Sequence, residues 1–461
     1  MIKNLNDTEY RENVAHLRSI IKSDSHYAAI LTFGCQQNEA DSEVVKGIVS
    51  DAGYILTDNT DIADLIIVNT CTIREHAQMK ALSTIGRFKA LKKKKPALVI
   101  GVIGCMAAEP VAADMLKTDF HYVSFTLQPG MYAKIPELIL KNLELNKRSF
   151  ILGITEPDIE EGIAPVRSAG HKAWVSIMYG CNNFCSYCIV PYVRGRERSR
   201  ASAAVIAECK SLADAGVKEI TLLGQNVNSY ASDMDFPKLL RNIASIEGDF
   251  IIRFMTSHPK DVSDELIDVI AESEGKIAPY FHLPLQSGSD RILSRMNRTY
   301  NVDRFLSIVD KLRAKIPGIS ISTDIIVGFP GESEEDFEGT LDVVRKVRFD
   351  MAYCFMYSVR AGTRAARMED QIDEKTKSDR IARLLDIQTA ISLEKNEHLL
   401  GKRVRVLIDS LSKKKLDNTY SARTDTNKLV HLESEKDIIG QFVTVEIEKI
   451  GAFDLYGKIC E

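Results

Sequence analysis

The stretch GCNNFCSYC, residues 180–188, decides how this chain is interpreted because it places Cys181, Cys185 and Cys188 in one short loop. The loop directly follows an apolar, strand-like run at 173–178. Three sulfurs at this spacing can occupy three corners of a four-iron cubane, which normally takes four thiolates. No fourth cysteine is near, so one iron would keep an open position. The alternative is a structural zinc site, which usually closes with a fourth Cys or His.

Beyond the loop, strand-like and helix-like segments alternate, which predicts a partial (β/α)6 barrel with parallel strands. The predicted strands are 173–178, 218–224, 250–256, 279–285, 320–327 and 350–357. The predicted helices are 202–215, 236–246, 262–273, 301–314 and 333–347, with a further charged helix at about 373–399. Active sites of β/α barrels lie at the carboxyl ends of the strands. The cysteine loop therefore stands where catalytic groups are expected.

This arrangement resembles the radical SAM superfamily, whose hallmark is C-x3-C-x2-C after the first barrel strand. The resemblance implies that S-adenosylmethionine (SAM) chelates the open iron of a [4Fe–4S] cluster and is cleaved to a 5′-deoxyadenosyl radical. The candidates for holding SAM are Tyr187, Gln225, Asn226, Ser257, Gln286, Ser287, Gly328 and Glu332. For the GFPGE stretch at 328–332, the alternative is a tight strand-to-helix turn with Ser333 as N-cap.

Three further cysteines each follow the end of a short apolar run. These runs, typical of buried parallel strands in an α/β domain, are 27–33, 65–69 and 98–103. The cysteines that follow them are Cys35, Cys71 and Cys105. Because ligands of open parallel sheets bind outside the carboxyl ends of the strands, the three thiols can converge. The alternative is three ordinary buried cysteines.

The segments around these cysteines resemble the N-terminal domain of the methylthiotransferases. The matching stretches are TFGCQQNEADSE (32–43), NTCTIREHAQMK (69–80) and GVIGCMAAE (101–109). The resemblance implies that Cys35, Cys71 and Cys105 hold an auxiliary [4Fe–4S] cluster, again with an open iron. It also implies two SAM per turnover, one to methylate a sulfur and one to supply the radical. In the methylthiotransferases that act on adenosine, the resemblance implies reaction at the C2–H bond of adenine, which is not acidic, so no protein acid or base is assigned a catalytic role.

After Gly401 the apolar residues alternate, which predicts a small antiparallel β-barrel of about 60 residues. This part resembles a TRAM module, which implies RNA binding. The predicted fold is therefore α/β: an N-terminal parallel-sheet domain, a radical SAM barrel and the small β-barrel. An acidic linker is expected at Thr155–Gly162. The predicted boundaries are a polar, weakly helical leader at 1–25, the N-terminal domain at 26–150, the radical SAM domain at 165–397 and the TRAM-like domain at 398–461.

The stretches CSYCIVPYVRGRERSR (185–200) and LLGQNVNSY (222–230) resemble the methylthiotransferase branch that acts on isopentenylated adenosine, the MiaB-type tRNA enzymes. The implied activity adds a methylthio group to C2 of N6-isopentenyl(dimethylallyl)adenosine beside the anticodon (position 37) of tRNA. The alternatives are threonylcarbamoyladenosine in tRNA, a ribosomal-protein aspartate, or a two-cluster electron-transfer protein. The candidates for RNA binding are Arg194, Arg196, Arg198, Arg200, Lys402, Arg403 and Lys413. A solvated charge run is the alternative for the four alternating arginines.

The composition is that of a globular protein, with 45% hydrophobic and 27% charged residues in 461. A net charge of −4 means that nucleic-acid binding must come from local basic patches. The longest apolar stretch, 97–108, is too short to cross a bilayer. We therefore expect a cytoplasmic monomer with no membrane partner. The expected partners are the tRNA anticodon stem-loop, an external one-electron reductant and a donor of sulfur or repaired cluster.

Overall fold

A computed structural model of the chain describes residues 2–4, 8–21, 25–72, 75–153, 157–412 and 418–460, without the side chains of 2–4, 75 and 76. The chain falls into two compact units. The first comprises residues 1–168, 178–182 and 188–200. The second comprises residues 169–177, 183–187 and 201–461. The cysteine loop 180–188 thus contributes residues to both.

The secondary structure follows the alternation predicted from the sequence. Up to residue 161 the elements are β1 (Ile2–Asn4), α1 (Thr8–Ile21), β2 (Tyr27–Thr32), α2 (Gln36–Asp51), β3 (Ile55–Leu56), β4 (Leu65–Thr70), α3 (Glu75–Lys94), β5 (Val99–Gly104), α4 (Cys105–Ala108), α5 (Pro110–Thr118), β6 (Phe125–Leu127), α6 (Ile135–Leu145), β7 (Ser149–Ile151) and β8 (Ile159–Glu161). From there to residue 397 they are β9 (Lys172–Ser176), β10 (Met178–Tyr179), α7 (Val190–Arg194), β11 (Arg198–Ser199), α8 (Ser202–Asp214), β12 (Glu219–Leu223), α9 (Phe236–Ala244), β13 (Ile251–Phe254), α10 (Asp264–Glu272), β14 (Tyr280–His282), α11 (Asp290–Arg295), α12 (Val302–Lys315), β15 (Ser320–Val327), α13 (Glu334–Val347), β16 (Met351–Met356) and α14 (Glu374–Glu397). The last strands are β17 (Arg403–Leu411), β18 (Thr419–Thr424), β19 (Leu429–Glu433), β20 (Phe442–Ile450) and β21 (Asp454–Ile459).

The first unit is built on a six-stranded parallel sheet of order β3-β2-β4-β5-β6-β7. Strands β4 and β5 are buried along their whole length, as expected of parallel strands covered on both faces. Their side chains alternate between two cores. Leu65 and Ile67 pack in one core, which also holds residues of α2 and α6, whereas Ile66 and Val68 pack in the other, beside α3 and α5.

Residues 8–21, predicted as part of a polar leader, form helix α1, which belongs to the first unit. Leu17 and Ile21, four positions apart, lie in its core, because one helical face is apolar. Within the predicted linker, Ile159–Glu161 forms strand β8, which pairs in parallel with β1.

The second unit contains the six predicted β/α strands as two three-stranded parallel sheets, β9-β12-β13 and β14-β15-β16. A single parallel bridge, Ile252 to Ile277, extends the ladder from β13 towards β14. Ile321 and Ile325, which share one face of β15, are fully buried. The opposite face carries polar and aromatic side chains, including His282, whose Nδ1 lies 2.9 Å from Ser322 Oγ.

The C-terminal strands form a closed barrel of order β17-β18-β19-β21-β20. The β19–β21 pairing is parallel, and the other pairings are antiparallel. This barrel packs at the amino-terminal ends of the β/α strands. Arg253 of β13 donates to the carbonyls of Thr424 and Asp425, and Lys172, which begins β9, pairs with Asp409. The carboxyl ends of the strands are therefore left to the candidate site.

Candidate metal and cofactor sites

Three cysteines of the first unit lie at the carboxyl ends of adjacent parallel strands. Cys35 is the N-cap of α2 just beyond β2, Cys71 follows β4, and Cys105 begins α4 directly after β5. Strands β2, β4 and β5 are neighbours in the sheet. The three thiols therefore share one edge, where open α/β sheets bind ligands. We call Cys35, Cys71 and Cys105 the auxiliary site.

Close backbone packing brings these strand ends together. Gly34, just before Cys35, has φ +139°, and a Cβ there would lie 2.8 Å from Cys71 Cβ. Gly104, just before Cys105, has φ +95°, and a Cβ there would lie 2.8 Å from the backbone nitrogen of Thr70. Only glycine fits such close approaches at positive φ. The glycines before two of the cysteines thus allow the thiols to approach one another.

A buried amide pair braces the auxiliary site, and sequence reasoning missed it. Asn38 Nδ2 donates to Asn69 Oδ1 at 2.9 Å and to the Thr70 carbonyl at 3.0 Å. The Cys35 thiol donates to Asn38 Oδ1 at 3.2 Å. Both asparagines are fully buried. They stood in the quoted motifs TFGCQQNE and NTC, but asparagine is not a usual iron–sulfur ligand, so nothing marked them as bracing residues.

Burial at the auxiliary site favours the neutral, protonated form of the Cys105 thiol when no metal is bound. Burial raises the pKa of the Cys105 thiol to about 12, although Arg194 opposes the shift, and Cys71 and Cys35 add to it. Coordination to a metal deprotonates a thiol outright. Among the described residues, no three His, Cys, Asp or Glu side chains converge as one metal ion requires. A four-iron cluster takes one thiolate per iron, so three thiols at one edge of the sheet are suited to three of its four irons.

The triplet loop, residues 180–188, begins in the first unit with a strained turn. Gly180 has φ +77°, and a Cβ there would collide with the Arg196 carbonyl. The Cys181 amide donates to the Gly195 carbonyl at 3.1 Å. Strands β10 and β11 pair on either side of this contact. The backbone therefore fixes the direction in which the chain enters the loop.

In the second unit, the middle of the triplet loop is anchored to the end of α11. The Ser186 amide donates to the Met296 carbonyl at 2.9 Å, and Asn297 Nδ2 donates to the Phe184 carbonyl at 3.0 Å. The guanidinium of Arg298, which is 9% exposed, lies 3.4 Å from Cys185 Sγ. Two side chains outside the cysteine motif thus position the residues around Cys185, and their local sequence carried no signal of this role.

Buried polar atoms without partners mark the ends of the β/α strands. Asn226 Oδ1, Ser257 Oγ and Gln286 Oε1 are buried and have no hydrogen-bond partner among the described residues. Both polar side-chain atoms of Asn228 are also buried without a hydrogen-bond partner among the described residues. Such orphaned groups cost free energy unless a ligand or water satisfies them. Three of the four residues were predicted to hold SAM. Their unused acceptors fit its amino and hydroxyl donors, and Asn228 is an addition.

The other predicted SAM residues have more varied surroundings. Glu332 accepts from the Gly328 amide at 2.7 Å and pairs with Arg380 at 2.7 Å. Ser333 and Asp336 form a capping box at the start of α13. The alternative of a structural turn thus describes Gly328 and Glu332 well. Ser287 is fully buried, and its Oγ accepts from the Ser289 amide at 3.2 Å. Tyr187 packs edge-on against Phe329. Gln225 is half-buried.

The four alternating arginines do not share one exposed face. Arg194 is 5% exposed and pairs with Asp41 at 3.0 Å. Arg200 is 8% exposed and is held by both oxygens of Glu161, at 2.6 and 2.8 Å. The structure therefore corrects the expectation that Arg194 and Arg200 bind RNA phosphates, because both are buried ion-pair partners. Arg196 is exposed, and Arg198 donates to the carbonyls of Pro157, Arg196 and Arg194.

In the C-terminal barrel, Lys402 and Arg403 are exposed. Arg403 lies 3.8 Å from Glu446 in an exposed pair, which contributes little stability. Lys413 falls outside the described residues. Arg405 lies two residues after Arg403 on β17, and its guanidinium packs 3.7 Å from the Phe442 ring centroid. No helix in the described part of the chain has the length and hydrophobicity needed to span a membrane.

Comparison with protein families and solved structures agrees with this arrangement. Residues 175–344 match the Radical SAM superfamily, residues 397–460 match the TRAM domain, and residues 27–127 match Uncharacterized protein family UPF0004. The fold is similar to that of the radical S-adenosylmethionine methyltransferase TsrM from Kitasatospora setae, solved with cobalamin and a [4Fe–4S] cluster. The TM-score is 0.55 at 14% identity, covering 74% of each chain. The cobalamin-dependent S-adenosylmethionine radical enzyme OxsB gives a TM-score of 0.52 at 12% identity, covering 81% of this chain and 57% of that one.

Curated relatives match nearly the whole chain. The tRNA-2-methylthio-N(6)-dimethylallyladenosine synthase of Thermoanaerobacter pseudethanolicus is 47% identical over 446 residues, 95% of this chain and 94% of the relative. Proteins of the same name from Alkaliphilus oremlandii and Caldicellulosiruptor saccharolyticus are 48% and 49% identical. They cover 94% and 93% of this chain, and 92% of each relative. Because it is 47–49% identical to these relatives over more than nine-tenths of its length, this chain belongs to the tRNA-2-methylthio-N(6)-dimethylallyladenosine synthase family of radical SAM enzymes.

Proposed function

We propose that this chain attaches a methylthio group to C2 of N6-dimethylallyladenosine next to the anticodon of tRNA. The observation that carries the proposal is the match of 93–95% of the chain to several relatives of that name, at 47–49% identity. The two cysteine sets at strand ends support it, because the chemistry needs both a radical source and a place to hold sulfur. We infer two [4Fe–4S] clusters, each with three cysteine ligands and one open iron.

We assign one cluster to the triplet-loop cysteines and the other to the auxiliary site. When bound, the two clusters supply the reductive cleavage of SAM and the sulfur to be transferred. The protein's task is to hold SAM, sulfur and base in reacting geometry and to exclude water. Asn226, Ser257 and Gln286 suit the positioning of SAM, since each offers a buried, unused polar atom at a strand end.

We assign the dimethylallyl-adenine moiety to the exposed aromatic residues of β16. Tyr353 and Phe355 are 45% and 46% exposed. They alternate along the strand, and therefore share a face with His282, whose ring lies 6.0 Å from that of Tyr353. Aromatic rings stack on unpaired bases and also cover apolar tails. Phe355→Ala is expected to raise the Kd for a dimethylallylated stem-loop more than that for an unmodified one. Equal effects on both would contradict this assignment.

We further propose that the substrate is the anticodon stem-loop, whose unpaired loop base is accessible without melting a duplex. The TRAM-like barrel supplies Lys402 and Arg403 as exposed cations, and Arg196 is a third candidate. An external one-electron reductant and a donor that replaces the consumed sulfur complete the reaction. A tRNA substrate places the enzyme in the cytoplasm, and we propose that it acts as a monomer.

The test uses the full chain, reconstituted anaerobically with iron and sulfide and then given SAM, dithionite and a synthetic stem-loop. Three stem-loops carry dimethylallyladenosine, threonylcarbamoyladenosine or plain adenosine at the same position. The proposal expects 5′-deoxyadenosine in the reaction and a methylthio nucleoside from the dimethylallylated RNA. A product from threonylcarbamoyladenosine alone would assign the enzyme to the other tRNA branch.

Two further results would point away from tRNA modification altogether. Methylthiolation of a ribosomal-protein aspartate without any RNA product would make the substrate a protein. A protein that takes up two clusters yet never cleaves SAM would be an electron carrier. The matched controls are the Cys181/Cys185/Cys188→Ala variant, expected to lose SAM cleavage, and the Cys35/Cys71/Cys105→Ala variant, expected to keep SAM cleavage but form no product.

A further inference from the structure

A buried arginine touches a cysteine of the auxiliary site. Arg194 Nε donates to Cys105 Sγ at 3.1 Å, and its Nη2 pairs with Asp41 at 3.0 Å. The two charged side chains are only 3% and 4% exposed. All three residues belong to the first unit. The guanidinium therefore lies between a carboxylate and the Cys105 sulfur, with almost no access to water.

The segment that carries Arg194 also packs on Cys105. Helix α7 starts two residues after Cys188, and Ile189 and Val193 form a small core with Cys105. Arg198 Nη2 donates to the Arg194 carbonyl at 3.1 Å and so braces the end of the helix. The residues that follow the triplet loop thus contact Cys105 of the auxiliary site.

Burying this ion pair is costly, so its position needs a reason. Removing a charge from water costs several kcal/mol, which the partner repays only in good geometry. Arg200, six residues further along, pairs with Glu161 through two short hydrogen bonds, with side chains that are 10% and 17% exposed. Arg194 instead gives one donor to its carboxylate and directs another at sulfur. A purely structural pair would not require that division.

We propose that Arg194 is a positioning residue for the auxiliary cluster, with its Nε–H donating to the Cys105 thiolate while Asp41 holds the guanidinium in place. This inference rests on the proposed function, which assigns the cluster to Cys35, Cys71 and Cys105. Hydrogen bonds to ligand sulfurs and nearby positive charge stabilise the reduced, more negative cluster and raise its reduction potential. Arg194 therefore makes this cluster easier to reduce and fixes the Cys105 side chain.

The test isolates one cluster in the full-length chain. In a parent carrying Cys181, Cys185 and Cys188 all changed to Ala, only the auxiliary cluster remains. Iron and sulfide content and the midpoint potential, from an anaerobic redox titration followed by EPR, are then measured. The first variant adds Arg194→Leu with Asp41→Asn, which removes the hydrogen bond without leaving a buried charge unpaired. The matched control adds Arg200→Leu with Glu161→Gln instead.

The Arg194 double variant is expected to keep about four irons per chain and to show a more negative potential and an altered EPR spectrum. The Arg200 control is expected to match the parent. Arg194→Lys keeps the charge but cannot bridge Asp41 and Sγ as a planar guanidinium does, so its potential should fall between the two. If the Arg194 double variant binds no cluster, the Arg194→Lys variant still provides a reduction potential to compare with that of the parent.

Equal potentials in the parent, the Arg194→Lys variant and the Arg194 double variant would overturn the inference, as would an equal shift in the Arg200 control. Failure of the proposed function gives a different result. If the parent holds no cluster, or if adding Cys105→Ala leaves its iron content unchanged, the auxiliary ligand set is wrong, whatever Arg194 does.

Discussion

Gly104→Ala offers a test of the auxiliary site that changes none of the proposed ligands. Gly104 caps α4 with φ +95° and ψ −166°, a conformation that side chains rarely adopt. A Cβ at this position would lie 2.8 Å from the Thr70 backbone nitrogen and 2.5 Å from Asn69 Oδ1. Both neighbours belong to the end of β4, directly before Cys71. The added methyl group therefore acts on the backbone that carries two of the three cysteines.

The size of the effect follows from these contacts. The backbone conformation of Gly104, which is essentially restricted to glycine, costs another residue about 1–3 kcal/mol, and overpacking a tight site costs about 1–3 kcal/mol more. Reaching an ordinary contact of 3.4 Å from 2.8 Å requires the Thr70 nitrogen to move by at least 0.6 Å, and the Thr70 carbonyl oxygen, which is closer still, must move further. A shift on this scale separates Cys71 from Cys105, because a cluster needs each thiolate within bonding distance of its iron. We expect the auxiliary cluster to be lost and the other cluster to remain.

The assay is iron and sulfide analysis after anaerobic reconstitution, together with SAM cleavage and RNA product formation. Gly104→Ala should hold about four irons per chain in place of about eight, cleave SAM normally and form no methylthio product. Gly86→Ala is the control, because that position lies within α3 with open space around it. There the methyl group should add up to about 1 kcal/mol of helix stability. A Gly104→Ala protein with about eight irons and full product formation would refute the reasoning.

Three more outcomes are expected. Cys71→Ala should leave SAM cleavage intact and abolish sulfur insertion, whereas Cys185→Ala should abolish both; loss of 5′-deoxyadenosine in Cys71→Ala would show that the division of labour is wrong. Ser257→Ala should raise the KM for SAM about fivefold, the value of one hydrogen bond of about 1 kcal/mol, while Ser245→Ala, an exposed serine, should not. Burial, aided by Arg298 and Lys260, lowers the pKa of His258 from 6.5 to about 2. The unfolded chain binds this proton below pH 6.5 and the folded protein does not, so the protein becomes less stable as the pH decreases. Between pH 6.5 and 5, the free energy of unfolding of His258→Gln in urea should therefore decrease by about 2 kcal/mol less than that of wild type.

The strands that carry chemistry were predictable because their signal is local. Uninterrupted apolar runs ending in Gly-Cys or Thr-Cys predicted β2, β4 and β5 and the place of their cysteines. The short strands β3, β6 and β7 were not predicted, because two or three residues are too few to show a period. The same limit hid β1 and β8, whose pairing joins positions far apart in sequence.

The fate of the arginines was not predictable from their spacing. Alternation from Arg194 to Arg200 suggests one extended face, but helix α7 ends at Arg194 and only 198–199 form a strand, so the alternation does not describe one surface. The partners that bury these side chains are distant in sequence. Asp41 lies 153 residues from Arg194, and Glu161 lies 39 residues from Arg200. Periodicity cannot report such pairs, because it records only neighbours on the same element.

A second buried arginine strengthens the case that the cysteines hold anionic clusters. Arg298 lies 3.4 Å from Cys185 Sγ and otherwise donates to Tyr300 Oη and the Pro284 carbonyl, and no carboxylate pairs with it in the part of the chain that the structure describes. An uncompensated buried cation costs far more than a neutral polar group. A protonated thiol does not offset that cost, whereas a cluster with three thiolates carries negative charge. Arg194 has Asp41 as its anion, whereas Arg298 has no carboxylate partner in the described part of the chain, so a negatively charged group at Cys185 would offset the cost of burying Arg298.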